Sequence, residues 1–124
     1  MSKFNCKIWN RDFNLDIVFD VYKGESVTEL QNEALKKFQD NASVLLESTE
    51  EISKYCLKSN KEEIGSNVVD NIFKYVIPQK IFVCRDKTRK IALMCAYKFD
   101  VEHGIAIVFE NEKFKTIGPQ DIIL

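Results

Sequence analysis

The residues in this chain with the means to do chemistry cluster at Asp100, Glu102 and His103, followed at once by Gly104. His103 is the only histidine. An imidazole following two carboxylates is the raw material of an acid/base pair, because carboxylates tune a group that already titrates near neutrality. Glu102 and His103 are therefore the catalytic candidates of an enzyme reading. A metal site is geometrically awkward, since successive side chains of extended backbone point to opposite faces and one His is a thin ligand set. The competing reading is structural: Gly104 supplies a positive φ at the end of a hairpin loop, and the Asp100, Glu102 and His103 side chains bond turn amides or one another. This structural reading is favoured. Cys6, Cys56, Cys84 and Cys95 show no C-x-x-C spacing. Each sits in an apolar-patterned stretch, as buried free thiols of a reducing cytoplasm do. Cys95 and His103 belong to one hairpin but are separated by too much strand to meet within it. No nucleophile elbow, P-loop or dinucleotide-binding motif occurs, so the residues imply neither cofactor nor metal.

Residues 3–23 alternate in two runs, with Phe4, Cys6 and Ile8 on one face and Leu15, Ile17, Phe19 and Val21 on the next, turned at Asn10-Arg11-Asp12. This predicts a β-hairpin. Ser26 with Glu29 reads as a capping box opening a helix whose face is Val27, Leu30, Ala34, Phe38, Ala42 and Leu45. A second box, Ser48 with Glu51, means that the helix either restarts there or kinks and runs on to about Ser59. Residues 59–66 read as a polar loop. Ser66 or Asn67 would cap a shorter helix carrying Val68, Val69, Ile72, Phe73 and Val76, ended by Pro78. Beyond it, residues 80–85, 90–99, 104–110 and 113–117 alternate as strands joined by short connectors, which suit antiparallel hairpins. The residues around 90–99 are apolar on both faces, so cover or contact is expected on both.

The chain has 124 residues, of which 45% are hydrophobic, enough for one domain with its own core. No apolar run approaches membrane-spanning length, and the N-terminus lacks a secretory apolar region. Eighteen basic and nineteen acidic residues leave a net charge of −1, which gives no bulk attraction to nucleic acid or anionic lipid. That neutrality is a cancellation. Residues 25–70 hold ten acidic and five basic side chains, whereas residues 79–99 hold six basic and one acidic. An acidic helical face would suit a basic protein partner. Trp9, flanking the first turn, would be a contact hot spot if exposed.

The segment from Phe99 through Asp100, Glu102, His103, Gly104 and Ala106 to Asn111, with Gly118 and Asp121 following, resembles the hallmark of a group of small bacterial proteins classed as a domain of unknown function. Their C-terminal hairpin carries an aromatic-D-x-E-H-G-x-A motif. The order of elements, including a helix with Leu30, Gln31, Ala34 and Phe38, is similar to that family over most of the chain. Some members lie beside toxin genes, so the resemblance implies an immunity-type, partner-binding role. The expectation is a single α+β domain with an N-terminal β-hairpin, a helical middle and a C-terminal four-stranded antiparallel meander, helices packed on one sheet. Its expected function is non-catalytic binding of a toxin-like protein in the cytoplasm, through Asp100, Glu102, His103 and Trp9. The alternative is an enzyme using the Asp100/Glu102/His103 loop as an acid/base or metal site.

Overall fold

In the computed structural model residues 3–47 and 49–123 are described. The first two strands, β1 (Lys3–Ile8) and β2 (Arg11–Phe19), form the expected hairpin, with Cys6 opposite Phe13 and Ile8 opposite Arg11. Its turn falls one residue earlier than Asn10-Arg11-Asp12 predicts. Trp9 and Asn10 both take positive φ, 48° and 71°, the signature of the two-residue turn whose twist matches that of the strands. Trp9 is an unusual residue there. Its amide donates to the Leu46 carbonyl at 3.0 Å and its ring is buried against Phe73, contacts that hold the conformation.

Helix α1 (Glu29–Leu45) starts on Thr28 rather than Ser26. Thr28 Oγ1 accepts from the Gln31 amide and Gln31 Oε1 accepts from the Thr28 amide, a reciprocal capping box two residues later than expected. A second helix, α2 (Glu50–Ile64), follows as a separate element. Ser48, the expected cap, lies outside the described residues, and the preceding Thr49 makes no side-chain cap bond. The polar stretch 59–66 is helical as far as Ile64, because Gly65 closes α2 in the left-handed conformation at φ 71°. Within it Asn60 departs from helical geometry (φ −140°, ψ 36°), and its Oδ1 accepts from the Tyr97 hydroxyl at 2.6 Å. The helix expected after Ser66 shrinks to one 3-10 turn at Ile72–Lys74, capped by Asn71.

The last four strands are β3 (Val76–Val83), β4 (Lys90–Tyr97), β5 (Ile105–Glu110) and β6 (Lys113–Gly118). Pro78 does not end a helix but sits inside β3, beside a register shift between Pro78 and Lys80. The described strands make one six-stranded mixed sheet in the order β1-β2-β3-β4-β5-β6. The α+β class holds, but the four-stranded antiparallel meander does not. β2 runs parallel to β3, from Asp16 beside Lys80 to Phe19 beside Val83, and joins the hairpin to the other four strands. Short connectors argue for antiparallel neighbours only where they exist. The link from β2 to β3 carries both helices and is long enough for a parallel crossover.

One sheet face packs under the helices. Ala34, Phe38 and Ala42 of α1 and Ile52 and Cys56 of α2 bury against Leu15, Ile81, Leu93 and Ile107, and the Phe38 ring lies 5.5 Å from Phe109. Complete burial of Phe38 contributes about 2–3 kcal/mol. The opposite face carries Phe82, Cys84, Ala92, Met94, Ala106 and Val108, all buried, with Ile123 packed on them. Gly118 makes room there, since a Cβ would come within 3.3 Å of the Ile122 side chain. Cover on this face, expected from the two-sided apolar pattern of residues 90–99, comes from a C-terminal 3-10 turn (Gln120–Ile122) and Ile123.

Gln31 is 2% exposed, and its Nε2 donates to the Asp20 carbonyl at 2.8 Å and the Val83 carbonyl at 3.3 Å, at the exits of β2 and β3. Replacing Gln31 with Leu leaves the Asp20 carbonyl and the Thr28 amide without their partner, while Val83 O keeps the Asp20 amide, and should cost about 2–3 kcal/mol in urea unfolding. A loss under about 0.5 kcal/mol would show that water satisfies them equally well.

Candidate functional site

Residues 98–104 connect β4 to β5 and hold the three candidates. The loop is built by its own hydrogen bonds. The Asp100 amide donates to Tyr97 O (3.2 Å) and the Gly104 amide to Asp100 O (2.8 Å). Asp100 Oδ1 takes the His103 amide at 3.2 Å and faces His103 Nδ1 at 3.0 Å. The structure therefore brings Asp100 and His103 together. Glu102 stands apart from them, exposed, with no hydrogen bond or ion pair among the described residues. Its charge and that of Asp121 add to the dominant effect of the Asp100 bond in raising the His103 pKa above the ordinary value.

Gly104 is required twice over. Its φ is +59°, and a Cβ would sit 2.5 Å from the Cys95 carbonyl oxygen and 2.7 Å from Gln120 Nε2. That approach lets Gln120 Nε2 donate to Cys95 O at 3.1 Å while the Gln120 amide bonds His103 O at 3.3 Å. The loop and the C-terminal turn are thus latched to one another. As chemistry, this is one exposed imidazole–carboxylate pair, and the described residues contain no group of three or more His, Cys, Asp or Glu able to hold a metal. The thiols are equally unsuited to attack. Burial pushes Cys6 and Cys84 up to about 11 and Cys95 upward as well, away from the reactive thiolate.

Trp9 is only 6% exposed and does not present itself to a partner. Its ring is instead one wall of a cavity of about 90 Å³ enclosed by Leu46, Ile52, Leu93 and Phe109, with Glu51 and Phe114 at its outer rim. Both rim residues also line a shallow cleft between α2 and β6, which adds Lys54, Tyr55, Lys58, Lys115 and Ile117. Phe114 is 39% exposed and meets Phe109 edge-on at 6.4 Å. It escapes a reading of the sequence for catalytic types. The available signal is an aromatic between two lysines on the last strand.

The charge imbalance along the chain is resolved internally in part. Arg85 bonds Glu25 at 2.7 Å, Arg89 bonds Glu112 at 2.8 Å and approaches Glu33 at 3.9 Å, and Lys90 meets Asp86 at 2.6 Å. Three of the four cations in the 85–90 segment are therefore engaged with carboxylates.

Two measurements check the loop. Gly104→Ala should destabilise by about 2–4 kcal/mol, combining backbone strain with a clash against main chain. Gly24→Ala, at φ +83° with open space around it, should cost about 1 kcal/mol. Equal losses would remove the close-approach argument. The pH test follows from the sign of the His103 shift. Its folded pKa lies above the unfolded value, so the pair's contribution is fully present below about pH 6.5 and is lost as pH rises through the folded pKa. The melting-temperature gap between wild type and His103→Gln should shrink between about pH 6 and pH 8.5. A constant gap would show that the ionised pair contributes nothing.

Among the described residues no helix is long and apolar enough to cross a membrane. Neither the curated proteins nor the solved structures contain a match to the chain. A family model matches residues 2–124, in keeping with a resemblance that extends along most of the sequence. The chain belongs to the DUF6985 family, a domain of unknown function.

Proposed function

We propose that this chain is a non-catalytic, cytoplasmic protein-binding module from a bacterial family, which neutralises a toxin-like partner by masking its surface as an immunity protein does. The observation that carries this reading is Phe114, an aromatic left exposed on an edge strand, at the rim of an apolar cavity. Exposed aromatics beside desolvated pockets are where binding energy concentrates. Support also comes from the Asp100–His103 pair, whose hydrogen bonds close a loop, so the most reactive-looking residues already have structural work. The location beside toxin genes of some members of the family that the hairpin motif resembles points the same way.

The test is co-expression with the product of the adjacent gene, followed by affinity capture of the complex and a measurement of growth. A stable complex and rescue from toxicity are expected, and His103→Ala should bind nearly as well as wild type. Failure to form the complex together with failure to rescue overturns the proposal. Complete loss of binding in a folded His103→Ala chain would move the site to the loop.

A further inference from the structure

We propose that the outer edge of β6 receives an extended acidic segment of the partner as an added strand, with one of its aliphatic side chains seated in the cavity beside Phe114. This inference rests on the binding function proposed above and names the chemistry of the partner.

The main chain is available. β6 pairs with β5 on one side, and among the described residues no strand pairs with its other side. Asn111 and Glu112, both at positive φ, form a two-residue turn closed by the Glu110–Lys113 pair. In an antiparallel hairpin of this kind the closing pair is hydrogen-bonded and the next is not, so the N–H and C=O of Phe114 point away from β5. Strand addition uses such groups for affinity and pockets at alternate side chains for specificity.

A pocket lies at the required place. The 90 Å³ cavity opens beside Phe114. A cavity of about 150 Å³ accepts benzene, so the smaller volume suits a branched aliphatic group. The cleft at the opposite edge, lined by Asn5, Cys6, Lys7, Asp12, Phe13 and Asn14, is a wide, open surface and not an enclosed apolar seat.

Charge selects the occupant. Three lysines and one glutamate line the α2–β6 cleft, and Lys113 stands beside it. Lys54 is bridged to Glu50 and Glu51, and Lys115 to Glu110. Lys58 and Lys113 have no ion pair among the described residues. Edge lysines repel a second copy of the same strand. The identical charges attract a strand carrying glutamate or aspartate, which favours an acidic partner over self-association. The register irregularity at Val108/Phe109 keeps the pairing segment short.

The test is an amide NMR titration of the whole chain with three synthetic peptides: alternating glutamate and leucine, alternating lysine and leucine, and the acidic peptide with alternate amides N-methylated. The acidic peptide should shift the amides of residues 113–116 and the Trp9 indole signal at concentrations up to about 1 mM, the lysine peptide should bind about tenfold or more weakly, and N-methylation should abolish the shifts. The double variant Lys58→Glu/Lys113→Glu changes two exposed positions and should stay folded, with a slightly lowered melting temperature because Glu110 then meets a like charge across the closing pair. It should lose about tenfold in affinity. The inference is overturned if the acidic peptide shifts nothing in 113–116, if N-methylation leaves binding intact, or if charge reversal has no effect. The co-expression partner separates the two proposals. Capture that survives Lys58→Glu/Lys113→Glu leaves the binding function standing and removes β6 as its seat. If wild-type capture fails, the binding function falls, and the peptide titration alone decides the strand inference.

Discussion

The architecture turns on a single buried amide. Gln31 is the one fully polar side chain in the core of the described residues, and it bridges the carbonyls that end β2 and β3. These strands form the sheet's parallel seam, extended one step by the Asp20 amide bonding Val83 O at 2.9 Å. The same Gln31 caps the first turn of α1. Helix start, strand exit and sheet joint are consequently set at one point. A buried amide bonded on both its oxygen and its nitrogen tolerates little displacement, because each lost partner leaves a desolvated group behind. The position of α1 over Leu93 and Ile107, and with it the roof of the cavity beside Phe114, follows from that anchor.

Local signals in the sequence were readable where period and turn chemistry agreed. The alternation of Phe4, Cys6 and Ile8 marks the hairpin, the three-and-four spacing of Ala34, Phe38 and Ala42 marks the buried face of α1, and Gly104 marks its positive φ. Overlapping signals misled. Ser26 with Glu29 and Thr28 with Gln31 both fit a capping box, and only burial of Gln31 decides between them. The stretch 59–66 looks like a loop because its composition is polar, yet Tyr97, 37 residues away, engages Asn60 at the kink and Gly65 caps the end. Such tertiary partners are invisible to a window of neighbouring residues. The same holds for the parallel seam and for Gln120, which locks the Asp100–Gly104 loop from the other side of β5.

The candidate site shows the same division. A structural use for Gly104 was legible, whereas the enzyme reading pairs His103 with Glu102 and it is Asp100 that His103 meets. The α2–β6 cleft was not legible, since Lys54 and Lys58 come from the middle of the chain and Phe114 from its last strand. Charge reverses the impression that a linear count leaves. The acidic stretch and the basic stretch meet through Glu25, Glu33, Arg85 and Arg89. Exposed pairs of this kind contribute about 0–1 kcal/mol each. Lys58 and Lys113 are among the surface cations without a carboxylate partner among the described residues.

The parallel seam also imposes an order on how the molecule is made. β1 and β2 leave the ribosome first, but the strand they pair with follows only after residues 20–75. Closing a segment of that length costs on the order of 4 kcal/mol in chain entropy, a cost that the four later strands avoid through their short turns. The nascent hairpin therefore keeps the edge of β2 unpaired until the crossover and β3 have been synthesised. The charges on β2 itself, Arg11, Asp12 and Asp16, disfavour pairing with another chain until β3 arrives to receive it.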